Sequence, residues 1–403
     1  MLNNKPNVLF WMYNFPNYSE TFINNQIVWL LDHNVNVLIY TYIKNDLNKG
    51  NFDKRRIKEI DQRIILKSDI FPKSKWSRLY KGIKILLRGL FSTDFLKYKR
   101  ALNSNKYGYG AKSFKHLLFT HFLLNAKIDI VHAHFGPNGI EASTYKEIGL
   151  SFKLICTFHG YDIRLGDVRP KGFYDSLFKY SSKIISISNY NYEKLVSFGL
   201  DENKIESINN GVLVKDEISN KETNVCNILS VGRLVEEKAF HLALNALSLL
   251  KKEYPDIIWK YNIIGDGKLE TELKELTKTL GLTAHVTFHL YQNSEYVRQK
   301  MLDSHFLLLS SINEALPTVI LEAQALKLPV LATNVGDISS VVINNKTGFL
   351  TEANLKSIFE GLVKMFSHKD KWNEYGVNGY NIVKREFESE KQMLKLLDVY
   401  IKC

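Results

Sequence analysis

Two kinds of hydrophobic pattern alternate along this chain: short apolar runs rich in β-branched and aromatic residues, and longer stretches in which apolar residues return every three or four positions. NVLFWMY, VNVLIYTY, IDIVHAHF, KLICTFHG, KIISISN and KIESINNG read as strands in the first half. NILSVGRL, WKYNIIGDG, HVTFHLY, HFLLLSS and PVLATNVG read as strands in the second. Amphipathic helical patterns separate most of them, which is the mark of βαβ units and parallel sheets. The stretch KDEISNKETN, residues 215–224, has too few large apolar residues to enter a core and reads as a linker. The pattern predicts an α/β chain with two doubly wound domains, 1–214 and 225–384, facing each other across a cleft, and a helical segment, 385–403, packing back toward the first. Ligands bind outside the carboxyl ends of the strands in open sheets of this kind, so that cleft is the default site.

One segment departs from the alternation. In KWSRLYKGIKILLRGLF, apolar residues recur at Trp76, Leu79, Tyr80, Ile83, Leu86, Leu87 and Leu90, while Lys75, Arg78, Lys81 and Arg88 occupy other faces. Two readings fit this basic amphipathic helix: an ordinary helix packing its apolar face on the domain core, or one that docks on an anionic membrane surface.

Composition narrows the class. At 403 residues, 45% hydrophobic and 24% charged, the chain is too long for one ordinary core and fits two or three globular domains. Its three cysteines, Cys156, Cys226 and Cys403, have no CxxC spacing, so neither a disulfide framework nor a zinc site is indicated. The start, MLNNKPNVLFWMYNFPNYSE, lacks the basic flank and long apolar segment of a secretory signal, and no window has the length of a membrane span. A cytoplasmic chain is expected, peripheral on the inner face of the cytoplasmic membrane if the basic segment docks there. The net charge of +12 is uneven: residues 1–200 carry 30 Lys and Arg against 15 Asp and Glu, and residues 201–403 carry 24 against 27. That asymmetry points to an anionic partner for the first half, with the Lys54–Lys115 segment as its centre. Nucleic acid is not expected, because no recognition module or repeated basic-aromatic motif is present. GYGAKS does not complete GxGxxG, which argues against a dinucleotide site.

Candidate chemistry in the second half centres on NEALPTVILEAQALKL, residues 313–328. Pro317 suits the first turn of a helix, which leaves Glu314 in the preceding loop and Glu322 on the inward helix stripe. An inward carboxylate is costly unless satisfied, and ribose hydroxyls are donors able to satisfy it. The first N–H groups of that helix, around Leu316 to Val319, form a phosphate site. Upstream, SVGRLVEEKAF sets Arg233 and Lys238 beside a strand end, where cations can neutralise a diphosphate. Solvated helix ends and surface cations fit each of these residues equally well when taken alone.

In the first half, TFHGYDIR puts His159 just beyond a strand, and VHAHFG puts His132 and His134 on one face without a third ligand at zinc spacing. NFPNYSETFI offers Ser19 as a helix cap and Glu20 at the positive helix end. Asn189 closes SISN, where it either caps the next helix or lines the cleft.

SVGRLVEEK, IIGDGKLETELKEL and SINEALPTVILEAQALKLPVLATNVGDISSVVINNKTGFL, in that order, resemble the carboxyl-terminal domain of the family 4 glycosyltransferases, and Glu314 and Glu322, seven residues apart, match that family's EX7E motif. The PxxSETF run looks like that of family members building bacterial exopolysaccharides and colanic-acid-like polymers. The resemblance implies a GT-B fold of two Rossmann-like domains and a nucleotide-sugar donor such as a UDP- or GDP-sugar. It also implies an oligosaccharide acceptor, lipid-linked in a surface-polysaccharide pathway, with retention of configuration and no metal or other cofactor. By carry-over, Arg233 and Lys238 meet the donor diphosphate and Glu322 the ribose. Gly265, Ala315, Leu316, Pro317 and Thr318 line the donor site, Glu314 contacts the transferred sugar, and His159 supports it. Ser19, Glu20, Thr21, His134 and Asn189 become candidates for the acceptor side. Three usual glycines are replaced, by Ala315, Ala239 and Lys327, a mild change for alanine provided its backbone does not need φ > 0. A sugar-nucleotide epimerase of the same fold and a catalytically silent, lipid-binding scaffold are the alternatives.

Overall fold

The computed structural model describes residues 5–18, 20–50, 52–215, 217 and 224–403. Two compact units emerge, one running to Ile208 and taking in Lys395–Cys403, the other spanning Asn209–Leu394.

The first unit holds β1 (Asn7–Phe15), β2 (Asn36–Lys44), β3 (Ile64–Leu66), β4 (Ile130–His134), β5 (Lys153–Phe158), β6 (Lys183–Ser186) and β7 (Ile205–Ser207). They form one sheet in the order β3-β2-β1-β4-β5-β6-β7, parallel throughout. The second unit holds β8 (Cys226–Val231), β9 (Trp259–Ile264), β10 (Val286–His289), β11 (Phe306–Leu309), β12 (Val330–Thr333) and β13 (Gly348–Thr351). Their order is β10-β9-β8-β11-β12-β13, again all parallel. Helices cover both faces of such a sheet, so central strands are apolar on both sides. All of β4 and β11 is buried accordingly. Trp11, Tyr40, Tyr145 and Phe158 fill the first core; Trp259, Tyr261, Phe306 and Tyr375 fill the second.

In each sheet the winding reverses beside the first strand, between β1 and β4 and between β8 and β11. At such a switch point the connections leave in opposite directions and open a crevice at the carboxyl ends. The loops that follow β8 and β11 carry Arg233, Lys238, Glu314, Ala315, Leu316 and Pro317, while His134 ends β4 and His159 and Gly265 follow β5 and β9.

The pattern reading missed β3 and β13. Both are edge strands of three and four residues, too short to show a period. The division of the chain also differs from expectation. The first unit ends at Ile208 rather than at residue 214, because Val212 donates to the Phe387 carbonyl (2.9 Å) and accepts from the Ser389 amide (2.9 Å), both in the second unit. Only Lys395–Cys403 of the returning segment joins the first unit. Of the linker 215–224, Lys215, Glu217 and Asn224 alone are described, and Glu217 is paired with Arg298.

The basic helix forms at Lys75–Gly89, but it buries Arg78, Gly82, Ile85 and Gly89 and leaves Trp76, Leu79, Tyr80, Ile83 and Leu87 exposed. Most of the apolar stripe therefore stays off the core, where the small residues make the closer contact, and Leu86 is the member of it that packs there. No helix among the described residues is long and apolar enough to cross a membrane.

The terminal helix Ser389–Lys402 brings Tyr400 Oη within 2.5 Å of His132 Nδ1, inside the first unit, and the other ring nitrogen lies 2.7 Å from Thr157 Oγ1. Tyr400→Phe leaves His132 Nδ1 buried without a partner, a cost of about 1–3 kcal/mol. Calorimetric melting of the variant should show the first unit's transition lowered by about 2–4 °C per kcal/mol lost; an unmoved transition would show that the contact contributes nothing.

Candidate functional site

In the second unit, the chain leaves β8 through Gly232 and Arg233, makes one turn of 3-10 helix at Glu236–Lys238 and enters the helix Phe240–Glu253. It leaves β11 through Ser310–Leu316 and enters the helix Thr318–Ala325. The two loops are tied together: Ile312 N donates to the Glu237 carbonyl (2.9 Å), and Ser310 Oγ donates to the carbonyls of Lys238 and Ala239 (both 3.1 Å). Lys238 Nζ forms an ion pair with Glu314 Oε1, which also accepts from Ser311 Oγ at 2.7 Å. Lys238 and Glu314, expected at the donor's diphosphate and sugar, are thus paired with each other, and Ser311 is a third member that the sequence did not indicate.

Two glycines bring neighbouring loops against these. A Cβ on Gly265 (φ +144°) would lie 2.0 Å from the Gly232 carbonyl oxygen, and one on Gly336 (φ +60°) 2.2 Å from that of Glu314. Only glycine permits those approaches.

Arg233 is exposed and has no ion pair or side-chain hydrogen bond among the described residues. Glu322 is half-buried and likewise without a partner, and burial pushes its carboxyl up to about 6. Pro317 (φ −72°) is the cap of its helix rather than its first residue, and the cap makes no side-chain hydrogen bond. The amides of Thr318 and Val319 find no acceptor among the described residues, as the first turn of a helix requires of some group outside it. Ala315, Leu316 and Pro317 are buried.

In the first unit, His134 ends β4 and His159 follows β5, with His134 Nδ1 3.2 Å from His159 Nε2. His132 lies behind, 4.4 Å from His134 between ring centroids and tilted by 30° to it. His134 Nε2 and His159 Nδ1 are buried without a partner among the described residues. Burial drives all three imidazoles well below the usual histidine range, His132 and His159 to about 3, so the column is neutral at physiological pH. No grouping among the described residues has the arrangement of a metal site. Phe22, in the first turn of the helix Thr21–Asp32, lies 4.9 Å from the His159 ring, which joins the SETF run to the histidines.

Several expectations change here. Ser19 lies outside the described residues. The cap of the helix Thr21–Asp32 is Glu20, which accepts from Asn17 Nδ2 at 2.6 Å. Asn189 is exposed and bonded to Glu193, while Ser188 caps its helix. Asn191, two residues on, is the buried one, and it donates to the carbonyls of Phe158 (3.2 Å) and His159 (3.3 Å). Asp162 also escaped the reading. It accepts from the amides of Gly136 (3.0 Å) and His159 (2.7 Å), and burial pushes it up to about 8 while those amides pull it down. An acid three residues after a cap was the available signal.

A family model described as Glycosyl transferases group 1 matches residues 214–382, and one described as Glycosyltransferase Family 4 matches residues 95–215. The chain is 30% identical to the uncharacterized glycosyltransferase MJ1178 of Methanocaldococcus jannaschii, over 68% of this chain and 75% of that one. This chain belongs to the family 4 glycosyltransferases. It is also 27% identical, over 90% of both chains, to WcaL of Escherichia coli (strain K12), a glycosyltransferase named for colanic acid biosynthesis. The crystal structure of Anabaena Alr3699/HepE, holding UDP and glucose, superposes with a TM-score of 0.73 at 14% identity, covering 99% of this chain and 100% of that one. That likeness supports the fold alone, GT-B with two Rossmann-like domains.

Two glycines that the family usually has are replaced in this glycosyltransferase where the backbone is left-handed: Ala239 at φ +44° and Lys327 at φ +56°. Alanine at 239 is thus not the mild change the sequence suggested, whereas Ala315 is free of that constraint. A non-glycine residue in this region costs about 1 kcal/mol or more. Ala239→Gly should raise the melting temperature of the second unit by about 2–4 °C; an equal or lower value would show that the β8 loop relaxes around alanine without strain.

Proposed function

We propose that this glycosyltransferase moves a sugar from a nucleoside-diphosphate donor, a UDP- or GDP-sugar, to a hydroxyl of a lipid-linked oligosaccharide during assembly of a bacterial surface polysaccharide. The observation that carries the donor assignment is Glu322: a carboxylate half-buried, without a partner among the described residues, in the helix whose first amides also lack acceptors. Two ribose hydroxyls donating to Glu322 offset its desolvation, and a diphosphate at the helix start takes the amides. Arg233 supplies an unpaired cation for the leaving group, and Lys238 reaches the same edge through its pair with Glu314. WcaL, named for colanic acid biosynthesis, supports the polysaccharide setting.

The acceptor oxygen attacks the anomeric carbon as the bond to the diphosphate oxygen breaks, and that departing oxygen takes the acceptor proton on the same face. Configuration is then retained without a covalent intermediate, and Arg233, Lys238 and the helix amides stabilise the charge that develops, so no metal is needed. His159 and His134, neutral and each with one ring nitrogen unpartnered among the described residues, support the sugar and acceptor hydroxyls, and Glu20 and Thr21 precede Phe22, which packs on the His159 ring.

Calorimetric titration with UDP, GDP and ADP, with magnesium or EDTA, tests the donor site. One diphosphate should bind in either medium, and Glu322→Ala should weaken it by tenfold or more. Arg233→Ala should lower kcat by about 100-fold. Loss of donor without any acceptor dependence would favour an epimerase, and no nucleotide binding would sink the assignment.

The pH dependence carries a sign. Because Glu322 must be ionised to accept hydroxyls and its carboxyl sits at about 6, affinity should fall as pH drops below 6, by about tenfold per unit. Glu322→Gln should bind weakly at every pH and lose that slope relative to the wild type; an unchanged slope would remove Glu322 from the site.

A further inference from the structure

The helix Lys75–Gly89 has two opposite faces with the same spacing. Arg78, Gly82, Ile85 and Gly89 face the protein, and the glycines let it seat closely: a Cβ on Gly82 would come within 2.5 Å of the Phe114 ring, and one on Gly89 within 2.8 Å of the Tyr98 ring. Trp76, Tyr80, Ile83 and Leu87 repeat that interval two residues out of step, about half a turn away. They are 80%, 68%, 46% and 62% exposed, and Phe91, just past the helix, is 98% exposed. One such residue on a surface needs no explanation, but an unbroken stripe of them does.

Charge identifies what covers the stripe. Between Asp69 and Asp94 the chain has no acidic residue, and Lys73, Lys75, Lys81, Lys84 and Arg88 are exposed beside the stripe without an ion pair among the described residues. Residues 54–115 hold 18 Lys and Arg against four Asp and Glu, a net +14, while the whole chain is +12. We infer that this helix is an interfacial anchor: its aromatic and aliphatic stripe enters the headgroup boundary of an anionic bilayer while its lysines and arginine engage lipid phosphates. A second copy would bring the same unpaired cations against these, a like-charge contact that costs free energy. A nucleic-acid backbone would meet the cations but bury no aliphatic surface. An anionic bilayer satisfies both halves of the pattern, and Trp76 and Tyr80 are residue types suited to its interface. Docking rests on this helix alone and stands apart from the donor reading; combined with it, the enzyme works where a lipid-borne acceptor is presented.

Trp76 makes the test direct, because Trp11, Trp259 and Trp372 are buried and Trp29 is half-buried. The full-length protein is mixed with vesicles of phosphatidylcholine alone, or with a third of the lipid replaced by phosphatidylglycerol, at low and high salt. Anionic vesicles should co-sediment the protein at low salt, shift its tryptophan emission to the blue and shield it from acrylamide, and high salt should release it. Trp76→Ser combined with Leu87→Ser should abolish sedimentation. Lys81→Glu with Lys84→Glu should weaken it more than about tenfold. All four positions are exposed, and unchanged nucleotide titration and melting serve as controls for the fold. Equal binding to neutral vesicles, binding to neither, or a dimer without lipid that the Trp76→Ser/Leu87→Ser variant dissociates would each overturn the inference.

Discussion

The proposed donor edge depends on the Lys238–Glu314 pair, because it joins loops that come from the two strands on either side of the winding reversal. Its side chains are only 17% and 11% exposed, so neither charge can be removed without stranding the other in a partly desolvated place. Such a pair contributes little net stability but fixes geometry. Ser311 on the same carboxylate oxygen and the Ser310 bridges hold the turn into the helix Thr318–Ala325, and that turn sets where the helix amides and Glu322 stand. Of the two cations at this edge, Lys238 is thereby committed and Arg233 is not. The committed one shapes the site, and the uncommitted one can follow a changing charge.

The first unit solves a different problem, that of burying polarity without charge. Its three imidazoles lie within one column at the ends of β4 and β5, and burial keeps them neutral. Asp162 holds the turns after both strands through the amides of Gly136 and His159, and Tyr400 closes the back of the column on His132. Phe135, between them, is left-handed at φ +71°, as are Ala239 and Lys327 in the second unit. Non-glycine residues in that region each cost about 1–3 kcal/mol and persist only where the surroundings over-determine them. Of the seven non-glycine residues at positive φ among the described residues, Phe135 follows His134 and Ala239 follows Lys238.

Central strands were legible because each is a run of apolar residues long enough to be read, whereas Ile64–Leu66 and Gly348–Thr351 carry no period. That Arg233 and Lys238 follow β8, and the glutamates β11, was legible through their spacing. Their mutual pairing was not, since Lys238 and Glu314 are 76 residues apart. Tyr400 and His132, 268 apart, were beyond any local signal. Of the two readings of Asn189, the cap falls to its neighbour Ser188, because a sequence pattern does not fix a helix boundary to one residue; Asn191, which holds the His159 loop, gave no local signal. The stripe on Lys75–Gly89 was legible as a stripe but not as a direction, because apolar periodicity alone does not say whether small residues opposite it make the better contact.

The two sheets wind alike. They share the winding in which the third strand crosses back to the far side of the first, from β3 to β4 in one unit and from β10 to β11 in the other. The second unit makes that crossing between His289 and Phe306 with the helix Ser294–Leu302, while the first uses everything from Leu66 to Ile130. A doubly wound sheet needs only the shorter connection. The additional chain holds the basic helix, and residues 67–129 carry 14 Lys and Arg against three Asp and Glu. Its charge is of no use to the sheet, and its outward stripe costs solvation free energy unless something covers it. The inner side of this insertion is explained by what lies within, since Phe119 packs on Trp11, Tyr40 and Tyr145 in the core; its strongly cationic, apolar outer face is explained by what lies outside the protein.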